Sequence, residues 1–304
     1  MEQVEARLAA LSTGYGPVLA QHGGATIAAG GKRLRPLLVF LAAGDAAVGA
    51  AGDRLVRAAA AVELIHSASL VHDDVLDRAP LRRGQPTVVA VAGRTVAAAT
   101  GDLLFSRAFA ELAAGGQPED VRALSAASSS LAAGELMQRA DAWDAAVPLA
   151  RYLERCTLKT SSLFEAACRL GALAAGGPVD ALAAFGSRIG LAFQLLDDVL
   201  DVAGPASRTG KARGTDLLDG TVTLPLIVAR ERDPELAAVD LRALRSEADA
   251  EALCDRIAAT GALEEAKRRA LAVVADAKAE LPALPTRQRA TLELVADGVV
   301  DRYA

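Results

Sequence analysis

Leu70-Val71-His72-Asp73-Asp74-Val75-Leu76-Asp77 runs from apolar residues into three aspartates, and Phe193-Gln194-Leu195-Leu196-Asp197-Asp198-Val199-Leu200-Asp201 does so again. The pentapeptide DDVLD is the same in both places. On a helix, residues i, i+1 and i+4 project carboxylates from one face. Carboxylates set so close repel one another unless a cation sits among them. Two such faces brought together make a pocket for hard divalent ions with oxygen ligands. Mg²⁺ fits best, because it takes few protein carboxylates and keeps places for water and phosphate. The stretch therefore predicts two acidic helix faces and points to chemistry on a diphosphate. A solvated helix end explains one acidic cluster; it does not explain the same spacing twice beside apolar surface.

The rest of the chain favours helices. Its 304 residues are 52% apolar and only 3% aromatic, an alanine-rich composition that suits closely packed helices. Strand signals are scarce. Gly30-Gly31, Pro80, Gly115-Gly116, Pro148, Gly176-Gly177-Pro178, Gly204-Pro205, Pro234, Pro282 and Pro285 cut the sequence into about ten helical intervals. No linker or composition shift divides it, so residues 1–304 read as a single all-α domain. The net charge of −5 and pI near 5.4 disfavour a nucleic-acid partner, which demands a basic face. Cys156, Cys168 and Cys254 are odd in number and lack CxxC spacing, so they read as reduced thiols of a cytoplasmic protein. The N-terminus has neither the basic nor the apolar region of a signal peptide. The uncharged run from Leu8 to Gly31 is broken by glycines and is no membrane span.

Basic residues cluster near the first acidic stretch. Arg82-Arg83-Gly84 follows Asp77 closely, and guanidinium forks bind phosphate oxygens bidentately. Gly30-Gly31-Lys32-Arg33-Leu34-Arg35-Pro36 precedes an apolar helix expected over Leu37–Ala43. Its glycines allow close backbone approach, and Lys32 and Arg35 can grip an anion at the helix start; a solvated turn accounts for the spacing equally well. Lys159-Thr160 falls in a helical stretch from Leu149 to Ala175, and His66 stands two helical turns before Asp73. Either is an ordinary surface or packed residue by spacing alone. The polar stretch from Ala203 to Thr221, which holds Lys211, follows the second acidic face and reads as a lid loop.

Taken in order, GGKRLRP, HDDVLDRAPLRRGQPT, LKTSSL, FQLLDDVLD and TGKARGTDLLDGTVTLPL resemble the motifs of the trans-polyprenyl diphosphate synthases, and they run from Gly30 to Pro225. A lone DDxxD is weak evidence; five motifs in register are specific. The resemblance implies the all-α isoprenoid-synthase fold, with helices around a central cavity, and a homodimer. It implies head-to-tail condensation of isopentenyl diphosphate with an allylic diphosphate. Asp73, Asp74, Asp77 and Asp197 then resemble ligands of Mg²⁺, three ions per active site, with Asp198 and Asp201 completing the second face. Arg82, Lys159 and Lys211 resemble the allylic diphosphate contacts. Lys32, Arg35, His66 and Arg83 resemble the isopentenyl diphosphate site, and Thr160 and Gln194 match positions near the reacting carbons. The implied chemistry is ionisation of the allylic C–O bond under electrostatic stabilisation, attack by the second double bond and loss of a proton, with water excluded.

One element departs from the family. Where many members carry GKxT after the second acidic motif, this chain reads Gly220-Thr221-Val222-Thr223, which removes one phosphate contact. Chain length turns on Ala68 and Ser69, one helical turn before Asp73. Bulky aromatics near there stop elongation early in the family; small residues imply a product longer than twenty carbons, unless Phe40, Phe105 or Phe109 blocks the tunnel. Geranylgeranyl or farnesyl diphosphate synthesis is the alternative. A class I terpene cyclase would carry a different second metal motif and no GGKRLRP. A non-catalytic partner subunit would have lost acidic or basic site residues.

Overall fold

The helices start and stop where glycine and proline punctuate the sequence. In this computed structural model, which describes residues 1–13, 16–28, 31–45, 49, 51–82, 84–204 and 213–301, they are α1 (Glu2–Thr13), α2 (Pro17–Ala28), α3 (Leu34–Ala43), α4 (Gly52–Asp77), α5 (Val88–Ala114), α6 (Pro118–Ala140), α7 (Leu149–Cys156), α8 (Ser162–Ala175), α9 (Val179–Ala203), α10 (Thr215–Leu218), α11 (Leu224–Arg232), α12 (Pro234–Ala237), α13 (Glu247–Ala259), α14 (Ala262–Ala279) and α15 (Thr286–Asp301). The surplus over the expected number is partly in one-turn helices such as α10 and α12. α3 begins three residues earlier than expected, because Arg33 takes a left-handed conformation (φ 48°) and serves as its N-cap. The described strands are β1 (Leu81–Arg82) and β2 (Gln85–Pro86), an antiparallel pair with Arg82 opposite Gln85.

The chain divides into two compact units. The first comprises Met1–Ser128, Leu163–Gly186 and Pro282–Arg289. Its core is α4, in which Ala58, Ala59, Ala60, Ala61, Val62, Leu64, Ile65 and Ala68 are fully buried. A helix apolar on every side belongs inside a core. Alanine and glycine let its neighbours come close. At Gly101 of α5 an added Cβ would lie 2.3 Å from the His72 ring, and at Gly171 of α8 one would lie 2.0 Å from the Val39 carbonyl of α3. Neither site has room for a side chain. The part-buried Arg33–Glu63 pair, 2.6 Å, ties the start of α3 to α4, and Arg33 also bonds Glu5 of α1.

The second unit comprises Ser129–Ser162, Ser187–Leu281 and Ala290–Ala304. Here α11 is the central element: Leu224, Pro225, Leu226, Ile227, Val228 and Ala229 are all buried. Thr223 stands at its N-cap position without a side-chain bond, and Pro225 sits in its first turn. α13 and α14 pack on it, and α13 opens with a capping box between Ser246 and Asp249.

All three cysteines are buried and unbridged. Burial, with the charges of Asp198 and Glu165 respectively, pushes the Cys156 and Cys168 thiols up to about 12, so both are inert at neutral pH. α5 and α9 are long and apolar enough to cross a membrane by length and composition. α9 nonetheless ends in DDVLD, and Glu111 of α5 is buried and paired with Arg7 and Arg57.

Candidate active site

The first acidic end lies in the first unit. α4 stops after Asp77 because Arg78 is left-handed (φ 53°) and its N–H bonds back to the Asp74 carbonyl. The β1–β2 hairpin then reverses the chain. Its base is closed by the Thr87 hydroxyl, which donates to the Ala79 carbonyl at 2.5 Å, and by the Thr87 N–H on the Pro80 carbonyl. The reversal returns Arg82 to α4, where its Nε donates to Asp74 Oδ1 at 2.7 Å. Asp74 is buried, Asp73 half-buried and Asp77 exposed.

The second acidic end lies in the second unit, at the end of α9. Asp197 is exposed, Asp201 half-buried and Asp198 buried. Asp198 accepts from the Tyr152 hydroxyl at 2.5 Å and from Gln194 Nε2 at 2.7 Å. Burial, with the nearby Asp216 charge, pushes its carboxyl up to about 7 against the pull of those two donors and of Arg155. From sequence, the three carboxylates of each motif form one face. The structure divides them. Residue i+1 is rotated about 100° from i around the helix, whereas i+4 returns nearly to it. Asp74 and Asp198 therefore turn inward onto protein donors.

Lys159 and Thr160 lie in the expected helical stretch, but within a π-helical turn, Thr157–Ser161, that joins α7 to α8. Such single turns recur at functional sites. The backbone of Lys159 presses on α6 at Gly134, where an added Cβ would lie 2.6 Å from the Lys159 nitrogen. Lys159 Nζ pairs with Glu135 and donates to Gln138 Oε1 at 3.2 Å. Burial alone would raise the Glu135 carboxyl, but Lys159 and Arg139 hold it below the usual carboxylate range. On the other side of the turn, Thr160 Oγ1 donates to Gln194 Oε1 at 2.6 Å.

In the first unit, Lys32 is exposed and Arg35 lies in the first turn of α3 with its guanidinium 4.4 Å over the Phe164 ring. His66 is half-buried on α4, and its carbonyl accepts from the Ser69 hydroxyl. Ala68 is fully buried, Ser69 nearly so, and Phe40, Phe105 and Phe109 are half-buried. Arg83 and Lys211 lie outside the described residues, as do residues 205–212 of the expected lid. Within that stretch Thr215–Leu218 is helical and Gly220 packs against the Trp143 ring, and just after it Arg155 donates to the Val222 carbonyl at 2.5 Å.

Sequence reasoning missed Tyr152, Glu135, Gln138 and Phe164. Tyr152 stands seven residues before Lys159, a spacing that would place it on the same helix side. Glu135 and Gln138 gave no signal, since their partner Lys159 is remote in sequence.

A model of the polyprenyl synthetase family matches residues 17–260. Component 2 of the heptaprenyl diphosphate synthase of Geobacillus stearothermophilus is 43% identical over 235 residues, which cover 76% of this chain and 72% of that one. The crystal structure of a decaprenyl diphosphate synthase from Rhodobacter capsulatus superposes with a TM-score of 0.92 at 34% identity, covering 100% of this chain and 96% of that one. That of a polyprenyl synthase from Caulobacter crescentus, complexed with calcium and isoprenyl diphosphate, superposes with a TM-score of 0.94 at 37% identity, covering 100% and 95%.

Proposed function

This chain belongs to the polyprenyl synthetase family, and from that premise we propose that it is a trans-prenyltransferase that condenses isopentenyl diphosphate with an allylic diphosphate into a medium- or long-chain product of more than twenty carbons. The observation that carries this reading is the pair of DDVLD helix ends, set in a chain that the family matches over residues 17–260. The long product is supported by the heptaprenyl and decaprenyl synthases among its relatives and by the small residues Ala68 and Ser69 on buried positions of α4. The span of the match takes in parts of both compact units, which supports one catalytic domain.

The donor set suits a divalent cation. Asp73, Asp77, Asp197 and Asp201 supply hard oxygens from helix ends and remain at least partly exposed. Among the described residues no three or more His, Cys, Asp or Glu side chains come together to hold a metal ion by themselves. Few protein oxygens with room for water and phosphate is the arrangement Mg²⁺ prefers. Asp74 and Asp198 we assign to anchoring, since both already serve protein donors. When bound, the metal supplies electrostatic stabilisation of a departing diphosphate.

The remaining work falls to this chain's own residues. Arg82, Lys159 and Lys211 hold the allylic diphosphate; Lys32, Arg35, His66 and Arg83 hold isopentenyl diphosphate. Lys159 exchanges Glu135 for a phosphate oxygen when substrate arrives. Thr160 and Gln194 border the reacting carbons. No protein nucleophile is needed, and dry surroundings protect the allylic cation. We assign the protein to the cytoplasm as a homodimer without a transmembrane segment, with no nucleic-acid partner.

The test is elongation by the purified chain with Mg²⁺, labelled isopentenyl diphosphate and allylic primers of five, ten, fifteen and twenty carbons, followed by sizing of the dephosphorylated products. Products longer than twenty carbons are expected. A stop at fifteen or twenty carbons keeps the enzyme class and selects the geranylgeranyl or farnesyl alternative. No elongation with any primer points to a cyclase or to dependence on a partner subunit. Ala68→Phe is expected to shorten the product; an unchanged length places the floor elsewhere.

A further inference from the structure

We infer that Tyr152 is a positioning residue for the reaction proposed above, acting through Asp198 and Gln194 to fix the direction in which the Thr160 hydroxyl points. The inference rests on that reading of the reaction. Tyr152 is fully buried in α7, about two helical turns before Thr160, which the π-helical turn carries. Its hydroxyl donates to Asp198 Oδ2 at 2.5 Å. The other carboxylate oxygen, Oδ1, accepts from Gln194 Nε2 at 2.7 Å.

The chemistry of these groups gives the chain a direction. The Gln194 amide presents its nitrogen, not its oxygen, to the Asp198 carboxyl. The amide oxygen therefore faces Thr160, 2.6 Å away. An amide oxygen also only accepts, so Thr160 gives it the single hydroxyl proton. Whatever else the Thr160 oxygen meets then finds lone pairs, not a proton. Beside an allylic cation that orientation is favourable and the reverse is not. Without the anchored Asp198, the Gln194 amide is able to flip, and the Thr160 proton follows it. Packing alone does not require the phenolic oxygen, since a phenylalanine would fill the same space.

The experiment is a double-mutant cycle on steady-state elongation by the full chain. Tyr152→Phe is expected to lower kcat about tenfold with both KM values within about twofold of wild type. In a Thr160→Val background the same substitution is expected to change kcat by less than about twofold, because the group it acts through is gone. Equal losses in the two backgrounds, an unchanged kcat for Tyr152→Phe, or a change confined to KM overturns the inference. Circular dichroism checks the fold; where Tyr152→Phe does not fold, Asp198→Asn takes its place in the cycle with the same outcomes. A wild-type chain that fails to elongate overturns the reaction reading and this inference with it, whereas an active wild type with additive losses overturns this inference alone.

Discussion

DDVLD ends α4 and α9 alike, and in both helices its second aspartate is buried, yet the partners differ in kind. Asp74 faces a guanidinium, Arg82, returned to it by the hairpin after α4. Asp198 faces neutral donors, a phenol and an amide, and its carboxyl stands near 7. The first end is thus a charge-balanced ion pair beside its two other aspartates. The second is a buried carboxylate held by two neutral hydrogen-bond donors, with the Arg155 charge nearby, beside its own two. Five identical residues acquire different electrostatics because their partners differ: Arg82 of the hairpin that follows for one, Tyr152 of α7 and Gln194 of α9 itself for the other. The repeat specifies where carboxylates sit on a helix; the surroundings specify what each carboxylate does.

The comparison breaks most easily at its outer positions. Asp73→Asn and Asp197→Asn are each expected to lower kcat by about a thousandfold, with unchanged circular dichroism, because each removes charge where diphosphate charge develops. Losses as large in Asp74→Asn and Asp198→Asn would erase the distinction between ligand and anchor.

Stability sharpens it next. Arg82→Met leaves the buried Asp74 carboxylate without its guanidinium and is expected to cost about 2 kcal/mol in urea denaturation. Tyr152→Phe removes one hydrogen bond of two and is expected to cost about 1 kcal/mol. The reverse order would mean that the hairpin contact contributes little to the fold.

Glu135 offers a pH test of the π-helical turn. Its folded pKa lies below the ordinary 4.5, so its contribution is present above that value and is lost as pH falls through the folded pKa. The stability difference between wild type and Glu135→Gln is expected to be constant from about pH 6 to 8 and to shrink below about pH 4.5. A difference that does not change with pH would show that the Glu135–Lys159 pair does not form in solution. The smallest effect belongs to Ser161, whose buried hydroxyl has no partner among the described residues. Ser161→Ala is expected to fall within about 0.5 kcal/mol of wild type or above it. A loss beyond about 1 kcal/mol would reveal a bond to an ordered water.

Much of this was legible in the sequence. Helix ends follow the glycines and prolines because those residues act locally, and α11 starts at Thr223-Leu224-Pro225 for the same reason. That both DDVLD motifs lie on helices follows from local pattern too. What was hidden depends on contacts remote in sequence. Nothing near Lys159 announces the π-helical turn, which goes with the missing Cβ of Gly134. Nothing in DDVLD tells that its second residue turns inward onto Arg82 in one case and Tyr152 in the other. The hairpin of β1 and β2 is too short to leave a periodic signal.

The most direct test of the account is the Mg²⁺ dependence of the elongation rate in Asp73→Asn, Asp74→Asn, Asp197→Asn and Asp198→Asn beside wild type. The account predicts that the first and third need several-fold more Mg²⁺ for half-maximal rate, while the second and fourth keep the wild-type requirement at reduced rate. An equal rise in all four, or none in any, would contradict it.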